Sequence, residues 1–181
     1  MDEQTHIGRV EKVSPGNRTI RIEMAKSYVA YAMTLPVLRC EQKDGTILRC
    51  RVETAKPSKE GLAVTMVAGV PRDTIAQLKN NRIVVPSDEV QRDTEHYDTD
   101  ELIGLQVNTP AKTEVGIVTG AFDTKASGMA EVELSNGVPI LLPIVPEIVA
   151  QVDWTSNTLH LCSDAPIEAA MNEDNDDTVE A

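Results

Sequence analysis

The sequence predicts an all-β protein, two small β-barrels joined by an acidic linker and followed by a disordered acidic tail. Three observations carry that prediction. Short runs alternate apolar and polar residues with period two, bounded by Gly, Asn and Asp turns at spacings of about 8–12 residues. Aromatic residues make up only 3% of the 181-residue chain while 41% is hydrophobic, so any core rests on Val, Ile, Leu and Ala. Between Pro86 and Glu101 lie seven acids and one base, too much like charge and too little apolar surface to order alone. That run ends abruptly in the apolar, β-branched stretch Leu102–Val107, as a linker ends where a second packed body begins. The expected divisions are residues 1–86, a linker over 87–96, a second barrel over 97–165 and the tail over 166–181.

Taken in order, strands are expected near Ile7–Val13 and Thr19–Met24, separated by the turn Pro15-Gly16-Asn17. Tyr28–Met33 fits a helix or a strand. Further strands are expected near Leu35–Cys40, Thr46–Thr54, Leu62–Val67 and Arg82–Val85. Pro71 suits the first turn of a short helix reaching about Leu78, where its missing N–H costs nothing. Side-chain phase fixes one hairpin. With Lys43-Asp44-Gly45 as a three-residue loop and Gly45 at positive φ, Gln42 closes on Thr46. Leu38, Cys40, Leu48 and Cys50 then share one face and Arg39, Glu41, Arg49 and Arg51 the other, with the cysteines diagonal rather than opposed. A one-residue slip would exchange the faces.

The second half repeats the device. With Ser135-Asn136-Gly137 as the loop, Leu134 closes on Val138, and Val132, Leu134, Val138, Ile140 and Leu142 share a face. Strands near Leu102–Val107, Val115–Phe122, Val149–Val152 and Thr158–Leu161 complete a small barrel of about five strands. From Pro166 onward the composition predicts disorder.

The net charge of −12 is unevenly spread. Residues 1–85 carry 14 bases and 9 acids, residues 102–165 carry 2 bases and 7 acids, and residues 166–181 carry 6 acids. An acidic whole argues against nucleic-acid binding, but that inference fails for the net +5 first half. No run approaches the roughly 18 apolar residues of a membrane span. The N-terminus lacks a basic-then-apolar signal, so a cytoplasmic protein is expected.

Motifs for chemistry are scarce. No nucleophile elbow, phosphate-binding loop or dinucleotide fingerprint is present. The three cysteines include no C-x-x-C pair and are expected to be free, mostly buried thiols; His6, His96 and His160 show no metal-ligand spacing. No enzyme, cofactor or metal is therefore expected. Two constellations remain. Arg39 stands opposite Arg49 with Arg51 two residues on, which is unfavourable in a sheet unless a phosphate backbone relieves it; a solvated face balanced by Glu41 and Glu53 is the alternative. Tyr97, amid acids and beside His96, reads either as an aromatic anchor for a partner or as a clamp packed on the second barrel.

An ordered set of short motifs resembles the RimM family of ribosome maturation factors over most of the chain. Ile7-Gly8-Arg9-Val10 with Pro15-Gly16-Asn17-Arg18 resembles the family's first strand and turn. Gly69-Val70-Pro71-Arg72-Asp73, leading to Leu78 and then Ile83-Val84-Val85, resembles its helix signature. Glu95-His96-Tyr97 and Glu101-Leu102-Ile103-Gly104 resemble the junction, and Gly116-Ile117-Val118, Leu142-Pro143-Ile144 and Val152-Asp153-Trp154 its later landmarks. His96 stands where the family usually has a first aromatic, Thr19 where a second glycine is common, and Ile75 where a small residue is usual.

The resemblance implies a six-stranded N-terminal barrel and a C-terminal PRC-like barrel. It implies a non-enzymatic, monomeric factor that binds the nineteenth small-subunit ribosomal protein, in the head, and assists 16S rRNA processing and 30S assembly. It places partner contact at His96 and Tyr97, and the charge split adds an rRNA contact at Arg39, Arg49 and Arg51. Two rival readings are a flavin-type β-barrel enzyme and a PRC-barrel adaptor in another complex.

Overall fold

In the computed structural model, which describes residues 3–176, alternation in the first half becomes six strands. They are β1 (Gln4–Ser14), β2 (Thr19–Glu23), β3 (Val37–Glu41), β4 (Ile47–Ser58), β5 (Gly61–Met66) and β6 (Arg82–Pro86). They close a barrel in the order β1-β2-β5-β4-β3-β6, with β6 paired back to β1. Alternate residues point inward: Ile20 and Ile22 from β2, Leu38 and Cys40 from β3, Leu62, Val64 and Met66 from β5. Each such aliphatic side chain contributes about 1.5–3 kcal/mol on full burial, so these residues hold the barrel without an aromatic centre. Strand β4 is long because it serves two neighbours, pairing β3 through residues 47–51 and β5 from Val52 on. Bulges between Val10 and Lys12 and between Val52 and Thr54 bend the long strands.

The first hairpin has the register that side-chain phase required. Gln42 N–H donates to Thr46 O at 2.8 Å, Gly45 has φ of 83°, and Arg39 faces Arg49. Cys40 and Cys50 are buried and free, and Leu48 and Leu38 are their cross-strand partners. Burial, with the neighbouring Cys50, pushes the Cys40 thiol up to about 12, and burial also raises that of Cys50. The thiols are thus free and mostly buried, as expected, with Cys162 the exception. It is exposed, because the last strand ends one residue earlier, and its Sγ donates to Pro146 O at 3.3 Å.

The ambiguous Tyr28–Met33 stretch is helical, within α1 (Lys26–Ala32). It buries Ser27 and Ala32, and Tyr28, Val29 and Tyr31 pack against the barrel core. Helix α2 (Arg72–Gln77) follows Pro71, whose carbonyl accepts the Ile75 N–H at 3.2 Å. Its Ile75 is fully buried.

The chain falls into two compact units, Met1–Tyr97 and Asp98–Ala181. The acidic segment differs from a free linker. Ser87 N–H bonds Glu3 O at 2.8 Å, Val90 packs on the first core, and Asp93 N–H bonds Ser27 O at 2.7 Å. Arg92 Nε donates to Ser27 Oγ at 3.1 Å, and its guanidinium lies 4.9 Å from the centre of the Tyr28 ring. The segment does not order itself; α1 supplies the partners that its own composition lacks.

The second unit holds β7 (Gln106–Asn108), β8 (Gly116–Asp123), β9 (Gly128–Leu134), β10 (Pro139–Ile144), β11 (Val149–Asp153) and β12 (Thr158–Leu161). Their order is β10-β9-β8-β7-β12-β11, a six-stranded barrel-like sheet in which only β7 and β12 run parallel. Here too the turn is as phase required, with Leu134 N–H on Val138 O at 2.9 Å and Gly137 at φ of 84°. Val118, Ala130, Val132, Leu134, Leu142, Val152 and Leu159 are buried.

Two expectations are corrected in this unit. The strand expected from Leu102 begins only at Gln106. Residues Thr99–Leu102 instead form a 3-10 turn, started by a capping box between Asp98 and Glu101, and Gly104 turns the chain at φ of 91°. The tail expected to be disordered from Pro166 begins as helix α3 (Ala165–Asp176). The Asp164 carbonyl accepts the N–H groups of Ile167 and Glu168, and Ile167 is buried at 4% exposure. That one apolar anchor offsets a composition that favours disorder; residues 177–181 lie outside the described residues. Among the described residues no helix is long and apolar enough to cross a membrane.

Candidate functional site

The arginine constellation forms on the outward face of β3 and β4. Arg39 and Arg49 are directly opposed, and Arg51 stands opposite Val37. Arg49 and Arg51 are exposed and Arg39 is half-buried. Like charges directly opposed destabilise a sheet unless an anion intervenes. The hairpin loop that sets this register is held by Asp44, whose carboxyl lies below the usual carboxylate range because the Thr46 N–H donates to it at 2.9 Å.

A second cationic row lies on the same barrel and escaped sequence reasoning. Lys12 on β1 faces Arg21 on β2, Arg21 faces Ala63 on β5, and Ala63 faces Lys56 on β4. The adjoining row is Ser14, Thr19, Thr65 and Thr54, four hydroxyls across the same strands. Lys12, Arg21 and Lys56 are exposed, and among the described residues none has a carboxylate within ion-pair distance. Three bases beside four hydroxyls on a twisted sheet suit phosphate oxygens, which accept from both. Period two alone does not reveal the row, because the bulges at Val10/Lys12 and Val52/Thr54 shift the phase of the two outer strands.

At the junction, Asp93 organises its neighbours. Its Oδ1 accepts the N–H groups of Glu95 at 2.8 Å and His96 at 3.0 Å, and its Oδ2 lies 3.0 Å from His96 Nδ1. Desolvation works to raise the Asp93 pKa, but these hydrogen bonds and the His96 ring outweigh it and hold the carboxyl below its ordinary value. The His96 side chain is 68% exposed. Tyr97 is half-buried, and burial raises its hydroxyl pKa. The ring of His96 is thus available at the surface, whereas much of Tyr97 is already covered.

In the second unit a cleft of about 270 Å³ lies between α3 and the loop before β8. Val115, Ile167 and Met171 give it an apolar side, and Lys112, Glu114, Asp164 and Glu168 charge its rim. Among the described residues no group of three or more His, Cys, Asp or Glu side chains is placed to hold a metal ion.

Comparison with known proteins gives this geometry a context. The family model for the RimM PRC barrel domain matches residues 99–163, which span β7 to β12. A ribosome maturation factor RimM of Rhodopseudomonas palustris (strain BisB5) is 32% identical over 119 residues, 65% of this chain and 66% of that protein. Its counterpart from strain HaA2 is 30% identical over 128 residues, covering 70% and 69%. One from Corynebacterium efficiens is 30% identical over 107 residues, covering 59% and 63%. The chain therefore spans about two thirds of the length of the curated relatives it matches. A crystal structure of a 16S ribosomal RNA processing protein RimM from Pseudomonas aeruginosa shares 18% identity, covering 90% of this chain and 99% of that one, with a TM-score of 0.42. The strain HaA2 relative, 30% identical with more than two thirds of each chain covered, shows that the chain belongs to the RimM family.

Proposed function

We propose that this protein is a non-enzymatic, monomeric ribosome maturation factor of the cytoplasm. It binds the nineteenth small-subunit ribosomal protein and assists 16S rRNA processing and assembly of the 30S head. The observation that carries this reading is the division of charge between two independently packed units. The first bears two cationic rows, Arg39–Arg49–Arg51 and Lys12–Arg21–Lys56, on a barrel with a net charge of +5 over residues 1–85. The second carries 7 acids against 2 bases over residues 102–165. Cationic rows attract phosphodiester backbone, and an acidic unit steers a basic ribosomal protein. Such a molecule engages both components of an unfinished subunit.

In this reading His96 and Tyr97 form the junction contact with the ribosomal protein, and Arg39, Arg49 and Arg51 touch rRNA. The test is co-sedimentation with immature and mature small subunits. Association with immature particles alone is expected. Equal association with both, or with neither, overturns the reading. For the junction, Tyr97→Ala is expected to weaken binding of the isolated ribosomal protein with both units still folded; unchanged affinity by calorimetry would make Tyr97 a packing residue.

A further inference from the structure

We propose that the outward face of β8, β9 and β10 is a docking surface for a basic segment of a partner protein. Cross-strand register builds the face in three rows. Ile117, Glu133 and Pro139 form the first, Gly120, Glu131 and Leu141 the second, Phe122, Met129 and Pro143 the third. The inward residues between them, Val118, Ala130, Val132 and Leu142, are buried, so the outward set is displayed on a rigid core.

This face departs from an ordinary solvated sheet. Ile117, Phe122 and Leu141 are 47%, 42% and 56% exposed, three of the five large hydrophobic side chains the described residues leave outside. Phe122 is the only phenylalanine in the chain, and it lies on the surface rather than in a core. An apolar patch maintained outside a folded domain marks a surface that another molecule covers.

The middle of the patch specifies what covers it. Glu131 and Glu133 stand on the central strand, flanked by the apolar residues, and neither carboxylate has an ion-pair or hydrogen-bond partner among the described residues. Gly120 opposite Glu131 keeps room for that side chain, since a Cβ there would stand 2.5 Å from Oε2. Two carboxylates inside an apolar ring lose their hydration on docking, which is unfavourable unless the arriving surface carries cations to meet them. The matching partner presents Lys or Arg between apolar side chains. An added strand along the edge fits less well. β10 is the outermost strand, and Pro139 and Pro143 remove two of its N–H donors. The face, rather than the edge, is the contact.

The inference rests on the proposed function for its probe, the basic nineteenth small-subunit ribosomal protein in isolated form. Calorimetric titration of the full chain with that protein compares wild type with Phe122→Ser/Leu141→Ser, with Glu131→Gln/Glu133→Gln, and with the control Lys79→Glu, an exposed site in the first unit. Circular dichroism and melting curves confirm that each variant is folded. A loss of about tenfold or more is expected for both face variants and none for the control, with the glutamine pair also losing salt dependence. Wild-type affinity in folded face variants overturns the docking face while leaving the assembly role standing. No binding by wild type overturns the protein-partner reading itself. Concentration-dependent self-association of wild type that Phe122→Ser/Leu141→Ser abolishes would give the face to a second copy and overturn the proposal. So would loss of subunit-precursor binding with protein binding intact, which would give it to RNA.

Discussion

Tyr31 is packed against the first core, and its hydroxyl oxygen is buried without a hydrogen-bond partner among the described residues. Desolvation raises its pKa, Glu89 adds to the rise, and Arg39 opposes it. An unsatisfied buried hydroxyl costs about 1–3 kcal/mol, so Tyr31→Phe is expected to match wild type or exceed it by up to about 1 kcal/mol. Urea denaturation checks this, and a clear loss would show that the hydroxyl is partnered in solution. The thiols give a second residue-scale expectation. Folding favours the neutral form of Cys40, holding it near 12 against an ordinary value of 9.0. Its contribution is therefore complete below about pH 9 and declines as the pH rises towards 12, because only the unfolded chain releases the proton early. Ellman titration near neutral pH should find Cys162 reactive in the native protein and Cys40 and Cys50 reactive only after unfolding.

At the scale of elements, the segment from Ser87 to Asp93 depends on a few side-chain anchors. The Arg92 contacts to Ser27 and Tyr28 are worth roughly 1–2 kcal/mol together. Arg92→Ala should therefore accelerate hydrogen exchange at the Asp93 amide while the β1–β6 amides stay protected. Unchanged exchange there would mean that Val90 and the backbone bonds of Ser87 and Asp93 hold the segment without Arg92. This element also shows where sequence reading stops. Hairpins were legible because the loop glycines, the apolar set and the charged set all had to agree on one register, Leu38 with Cys50 or Leu134 with Val138. The segment and α3 were not, because their order comes from Ser27, Tyr28 and the site that buries Ile167, none of which is local in the chain. The 3-10 turn at Thr99 was signalled by Asp98 and Glu101 at capping-box spacing, but those two acids were hidden among the others in the run. The cationic row and the apolar face were both obscured by bulges. At Val118/Gly120 the phase shifts between Ile117 and Phe122, so counting alternate residues separates two side chains that share a surface.

For the whole molecule, the division of charge implies a division of labour. Arg39→Glu with Arg49→Glu is expected to lower affinity for small-subunit precursors several-fold and to flatten its dependence on salt, since phosphate contacts release counterions. Affinity for the isolated ribosomal protein should not change. Measuring both by sedimentation and calorimetry separates the units' roles; an equal fall in the two would mean that one surface serves both ligands. The low aromatic content and the linker composition made the two-body plan visible in advance. The surface chemistry of each body required knowing which strands lie side by side.

The parallel pairing of β7 with β12 sets an order in time. Val107 is bonded alongside Leu159, about fifty residues further along the chain, and β8 to β11 are all made between them. During synthesis the first barrel has all six of its strands before β7 exists, and contacts so distant in sequence form slowly. Until β12 is delivered, β7 lacks its neighbour on one side and the middle of the second sheet stays open. Synthesis from the N-terminus thus supplies every strand of the first barrel before the second sheet can close.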